Sequence, residues 1–567
     1  MPTAPQGSVA PIVPAPTVAA RVAPSAAAVT QTPGAKPAPS AAINPPPSQG
    51  NPANPNEPTA GITEVGTADA RTLDPILIAD PTSLALSRLF FSSLVNLSPK
   101  DGAPTPDLAE AWTRSDDGLT YTFTLRQGVR WSDDQALTAD DATYSYGLYL
   151  NRAANSPRYN TIYSIVEGVR AVNDRTIQFT LRLPTASFLY DVATFGIVPQ
   201  HSLVNTQPAD LATSDFGTTS NIVGTGPFRM TRWLRSERME ADANPNYYLG
   251  KVASPHYTYI VLPTDDAVRD ALATGKADFG LVSPVVQKGL AGAPGVKVQT
   301  YDTYDMTYVG LQLDAAKPGS AFFGDANVRK ALMLALDRSA LLQAARGGAG
   351  VVADGVQPPL SWAYASVDPT YRQNVDEAKR LLDAAGWRLS ADGVRVKDRQ
   401  TFSFTLFTNS SDPIRESYAN LLRDAWGKVG VNVTVTAEKW SSFVDRVTRT
   451  HDFDAFVASF AGDVDPDLSP LFSIDAAKSG LNAGRYLNSD VDSMLSKARG
   501  IYKPEQQQDR KDLYTKIQQR VMTDLPILPL DFSRNAVAVR DRVKGFDASA
   551  TDLGLRYRAL AYTWGTG

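Results

Sequence analysis

Cysteine is missing altogether from the 567 residues, and that absence removes disulfides, thiolate-bound zinc, iron–sulfur clusters and thiol catalysis together. It leaves the redox compartment open. Histidine is nearly missing too: the three present, His201, His256 and His451, stand far apart, so no metal site built on imidazole is expected. No apolar run approaches the roughly 18 residues needed to span a bilayer, and no basic flank precedes an apolar stretch at the N-terminus, so the chain as given shows no export signal. Neither sign of charge dominates. The formal net charge is −4, with Lys and Arg scattered, so no face for nucleic acid or anionic lipid is expected.

What is present divides the chain early. Residues 1–60 are dominated by Pro, Ala, Ser, Thr and Asn with few large apolar groups. Such a stretch cannot bury enough apolar area to offset its conformational entropy, and its prolines favour extended backbone, so it is read as a disordered tether. The remainder is too long for one core at roughly 100 to 200 residues per domain, which predicts two or three compact parts.

From Gly61 onward the patterning becomes that of a folded α/β chain. Residues 62–68 read as a strand, followed by a loop punctuated by Asp74-Pro75 and Asp80-Pro81 and a helix starting with Thr82 as its N-cap. Period-two alternation marks antiparallel strands at LTYTFTLR (119–126) and TIQFTLR (176–182), with Asp116-Asp117-Gly118 as the turn before the first. Thr138 opens a helix whose first turn holds Asp140 and Asp141, favourable at the positive end of the helix dipole. Further helices are predicted at 265–274, 326–346, 375–385, 413–429 and 505–524, interleaved with strands such as 257–262, 402–407 and 431–437.

Residues 106–146 read PDLAEAWTRSDDGLTYTFTLRQGVRWSDDQALTADDATYSY. They are followed in order by GTGPFRMTRW and NPNYY (within 224–248), VRKALMLALDRSALL (328–342), FDAFVASFAGDVDPD (453–467) and LPILPL (525–530). This series resembles the family 5 extracellular solute-binding proteins, the peptide, oligopeptide and nickel receptors of ABC importers, from roughly Gly61 to the C-terminus. The resemblance implies a bilobed periplasmic-binding-protein type II fold of the large, cluster C kind: two mixed α/β lobes joined by a two-strand hinge. Lobe I would span 61–308, with an extra scaffold subdomain at about 89–222, lobe II 309–527, and a C-terminal return to lobe I 528–567. The crossings are expected near 304–313 and 526–531.

The same resemblance implies site residues. Asp463 matches the carboxylate that receives a peptide α-ammonium, and Phe460 stands where relatives commonly carry Trp, with Gly462 between them. A cation enclosed between lobes must be paired, so Asp463 is physically apt; Phe460 keeps an apolar wall but loses the indole donor. Ile78, Ala79 and Asp80 match ligand-facing positions whose backbone groups can bind any extended peptide. Thr194, Phe195 and Trp440 are weaker wall candidates, and Arg485 is the candidate cation for a peptide carboxylate. Asp463, Asp465 and Asp467 spell D-x-D-x-D, but an EF-hand loop counted from Asp463 needs Gly at Leu468 and Glu at Ile474. Neither GTGP at 224–227 nor GGAG at 347–350 has the context of a phosphate-binding loop.

The expected function is therefore an extracytoplasmic substrate-binding protein that captures di- or oligopeptides and delivers them to a membrane permease. It would be monomeric, lipid-anchored in its native form, and free of cofactor or metal. The alternatives are a non-peptide ligand on the same scaffold (an opine, sugar conjugate or metal chelate) or, in another class, a hydrolase using carboxylates such as Asp463 and Asp465. No G-x-S-x-G is present, so an enzyme is not the expectation.

Overall fold

Alternating burial converts the period-two stretches into strands. In Thr120–Leu125, Tyr121, Phe123 and Leu125 are buried while the threonines between them are half-exposed. That strand sits between Ala109–Arg114 and Thr176–Leu181 in a four-stranded antiparallel sheet completed by Val166–Asn173. The helix Ala139–Tyr149 packs on this sheet, with Tyr146 edge-on to Phe179 at 4.7 Å between ring centres. Asp141 secures its start by accepting from the Thr138 N–H at 2.9 Å, and also takes the Gln200 N–H at 3.0 Å.

These features come from a computed structural model that describes residues 61–98, 101–368, 370–479, 481–543 and 546. The expected tether at 1–60 and the end of the expected C-terminal return lie outside the described residues. Among the described residues, no helix is long and apolar enough to cross a membrane.

A large mixed sheet runs through the rest of the structure. Its central strands are Val296–Leu311 and Ile527–Arg540, antiparallel neighbours of 16 and 14 residues. One side of this pair continues through Phe279–Val282, Ile62–Gly66, His256–Val261, Arg238–Ala243 and Phe228–Leu234. The other continues through Ala455–Phe460, Ser403–Asn409 and Asn432–Glu438. Pairing between the two long strands breaks register between Asp302 and Met306, the mark of a bulge that re-aims both chains. Thr303 bridges the break by donating its hydroxyl to the Ser533 carbonyl at 3.0 Å.

The apolar cores divide at the same place. One gathers buried side chains from Ile62 to Tyr259 and then Phe279, Tyr301, Val537 and Val539. The other begins at Met306 and Tyr308 and ends at Leu530 and Phe532. We call the surrounding parts the first and second lobes. A small third cluster around Val268, Leu272 and Val286 packs on the inner strands of the same part of the sheet, through Val65, Val282, Ala536 and Ala538.

Two expected helix limits change for local reasons. The helix after Asp80 runs Pro81–Ser87, and Asp80 rather than Thr82 caps it, accepting from the Ser83 N–H at 2.9 Å and the Ser83 hydroxyl at 2.7 Å. Proline suits the first helical position because it has no N–H to leave unsatisfied. The single helix expected over 326–346 is two, Ala326–Leu334 and Arg338–Arg346. Asp337 caps the second, and the buried Arg338 beside it binds the Tyr371 carbonyl at 2.7 Å and Asp354 at 2.9 Å.

Asp74 gives the first lobe a pH-sensitive element. Its side chain is fully buried, with one oxygen taking the Ile76 N–H at 2.9 Å and the other without a hydrogen-bond partner. Burial pushes its pKa up to about 7, against the pull of the Ile76 N–H. A raised carboxyl pKa means the folded state keeps a proton the unfolded chain releases, so stability falls as pH rises from about 4 through 7, by up to roughly 4 kcal/mol. Asp74→Asn is expected to flatten that slope and to melt higher than wild type at pH 8. Thermal unfolding between pH 4 and 8 checks this, and a variant that melts lower at pH 8 removes the argument.

Candidate ligand cleft

The loop after Ala455–Phe460 is set down against the crossing strand. Phe460 pairs with Met306 across the ladder and packs half-buried on the second core. Gly462 follows, where an added Cβ would lie 2.5 Å from the Tyr304 carbonyl oxygen; only glycine allows so close an approach. The loop then presents three aspartates in alternation. Asp465 is buried in a two-pronged pair with Arg510, both bonds 2.7 Å. Asp467 takes the Ser469 N–H and hydroxyl at 2.9 and 2.6 Å and lies 3.5 Å from Arg499. Asp463 has no ion pair among the described residues and accepts only from the N–H of its neighbour Val464, at 2.6 Å.

Asp463 opens into a cavity of about 280 Å³ whose other walls come from the first lobe, among them Arg88, Arg158, Tyr190, Asp191, Thr194 and Phe195. The residue is exposed by surface, lining the cavity, while protein atoms crowd around its carboxyl group. Enclosure pushes its pKa up to about 6; the Val464 N–H and Arg158 pull it down, and Asp465 and Asp305 push it further up. Asp191 rises to about 8, again from burial first and then from the charge of Asp465, with Asp463 and Asp467 adding to it. Tyr190 and Tyr304 flank the loop as neutral phenols, each pushed up to about 12 by burial.

Arg158 supplies the opposite charge. Its guanidinium lies over the Phe195 ring, 4.8 Å from the centroid, with no carboxylate paired to it among the described residues. Arg88 is held in the wall by its bonds to the Thr194 carbonyl at 2.9 Å and the Ser93 hydroxyl at 3.2 Å. The cavity thus places a carboxylate of the second lobe across from a cation of the first, an arrangement that suits a short zwitterion.

Of the residues singled out in the sequence, Asp463, Thr194 and Phe195 meet in this cavity. Phe460 and Gly462 line a narrow recess with Asp463 and Tyr304. Ile78 is buried in an adjoining recess with Arg158, Thr194 and Phe195, while Ala79 is exposed and the carboxylate of Asp80 is committed to its helix cap. Trp440 is 53% exposed, near Arg415, and Arg485 pairs with Asp314 at 2.8 Å; neither lines the cavity. Arg158, Tyr190 and Asp191 were not marked by any motif. The one local signal is an acid ending the otherwise apolar turn Phe188–Asp191.

Residues within 89–222 do more than support. Besides the cavity wall, their first hairpin grips the second lobe at Tyr502: Arg114 donates to the Tyr502 carbonyl at 2.8 Å and stacks on its ring, and the Tyr502 hydroxyl donates to the Asp116 carbonyl at 2.7 Å. The ring lies against Gly118, where a Cβ would sit 2.5 Å from it.

Residues 103–481 match the family described as bacterial extracellular solute-binding proteins, family 5. The oligopeptide-binding protein AppA of Bacillus subtilis is 29% identical over 492 residues, covering 86% of this chain and 89% of that protein. Protein XP55 of Streptomyces lividans is 32% identical over 432 residues, 74% of each. The solved structure of Bacillus subtilis AppA in complex with a nonapeptide aligns with a TM-score of 0.75 at 27% identity, over 89% of this chain and 98% of that one.

Proposed function

Because the chain belongs to the family 5 bacterial extracellular solute-binding proteins, we propose that it captures short peptides between its two lobes and hands them to the membrane permease of an ABC importer. The carrying observation is the cavity shared by Asp463 of the second lobe and Arg158 of the first, neither of which has an ion pair among the described residues. Asp463 receives the peptide α-ammonium and Arg158 the carboxylate, so the ligand is held by both lobes at once and favours the closed form. The register break at Asp302–Met306, where the cores separate, serves as the hinge. Backbone groups around Ile78 and Ala79 and the Phe195 wall complete the peptide's surroundings without selecting its side chains. The Pro- and Ala-rich residues 1–60 act as a spacer to a lipid anchor outside the cytoplasm.

Native mass spectrometry of the freshly purified protein, followed by denaturation and identification of whatever is released, tests the reading. A spread of peptides of similar length is the expected result. A single non-peptide species would overturn the peptide assignment while leaving a binding protein.

A further inference from the structure

We propose that Asp191 is a second anionic contact for the ligand, so that the cavity selects peptides whose first residue is lysine or arginine. This rests on the peptide reading above, and it concerns a residue in the first lobe that lines the cavity together with Asp463.

Of the carboxylates gathered here, Asp465 is neutralised by Arg510 and Asp467 lies near Arg499. Asp191 and Asp463 have no ion pair among the described residues, and both line the same cavity. A single α-ammonium carries the charge to neutralise only one of them. A lysine side chain carries its second ammonium on a four-carbon stem from the same Cα that bears the first, which matches two carboxylates within one small enclosure. Arg158, with Arg88 beside it, stands in the wall for the single carboxylate of the peptide, while the two acids of the cavity take its two ammonium groups.

The empty cavity tolerates this pair because Asp191 keeps a proton at neutral pH. Burial and the charges of Asp465, Asp463 and Asp467 push it up to about 8, and the Ser187 hydroxyl bond offsets only part of that. Tyr190, beside it, stays neutral, and Arg510 is spent on Asp465. A ligand with one cation leaves that proton in place, whereas a second cation draws it off.

The test titrates the full chain calorimetrically at pH 7 with Lys-Ala, Lys-Ala-Ala and Lys-Ala-Ala-Ala, and with the same peptides carrying norleucine in place of lysine. The wild type is expected to bind the lysyl series about 10-fold or more tightly. It should also release about one proton per lysyl peptide, read from the heats in two buffers of different ionisation enthalpy. In Asp191→Asn the ratio between the two series is expected to fall towards one and the proton release to disappear. A wild type without preference overturns the inference, as does a preference kept in the variant. So does a variant that weakens both series equally, since that marks a structural role. Failure of every peptide in both series overturns the peptide reading itself, an outcome distinct from binding without preference.

Discussion

Asp465→Ala is expected to lower folding stability by about 3–5 kcal/mol. Asp465 and Arg510 are both nearly fully buried, joined by two bonds of 2.7 Å. Burial alone would lower the arginine's pKa, but the neighbouring carboxylate overrides it and drives it up. Removing the carboxylate leaves a guanidinium buried among Trp362, Tyr514 and the Ala498 carbonyl with its charge uncompensated. The loss should reach the ligand as well, because Asp465 anchors the loop two residues past Asp463. Chemical denaturation measures the first effect and peptide titration the second. The double variant Asp465→Leu with Arg510→Met is expected to recover most of the stability, since replacing a buried pair by apolar groups is often neutral or better. A single variant within about 1 kcal/mol of wild type would show that the pair does not hold the loop.

Asp463→Asn should behave in the opposite way, keeping or raising stability at neutral pH, since its raised pKa means the ionised carboxylate costs the fold something, while costing peptide affinity about 30-fold to several thousandfold. The carboxylate lines the cavity and bonds only the adjacent Val464 N–H among the described residues, so the fold gains nothing from its charge. The ligand does depend on it. Ionisation of Asp463 is centred at about 6, and a peptide α-amine holds its proton up to about 8. Below the first value the acceptor is lost and above the second the donor is lost, so affinity peaks between them. The acidic limb of that profile is expected to vanish in the variant. Dissociation constants measured from pH 4.5 to 9 decide it; an unchanged acidic limb would assign the titration to another group.

The fold was readable where the chain's own periodicity decides structure. Thr120–Leu125 and Thr176–Leu181 alternate because one face is buried, and Asp265–Thr274 forms the expected helix with Thr264 accepting the Ala267 N–H. Asp80 was harder, since Thr82 is an equally good cap by type; the choice fell to the carboxylate that can hold both Ser83 donors, with proline next to it. The break between Leu334 and Arg338 depends on partners of Arg338 at Ala353 and Tyr371, which no local pattern displays. The site divides in the same way. Asp463 and Phe460 lie in one contiguous motif, whereas Arg158 and Asp191 reach the cavity only through packing of a distant part of the chain. Arg485 looked like an available cation because Asp314, which occupies it, is remote in sequence.

The grip on Tyr502 uses none of the residues that line the cavity, yet it bears on how long a bound ligand stays held. Its bonds to Arg114 and Asp116 fasten a hairpin of the first lobe to the second at a place apart from the cavity. Bonds made there lower the energy of the shut form whether or not anything is inside. Arrival and departure of cargo are therefore slowed together in proportion to that grip, while the choice of cargo is left to Asp463 and its neighbours. Substitution at positions such as Tyr502 or Gly118 can retune dwell time over generations without rewriting what the protein accepts.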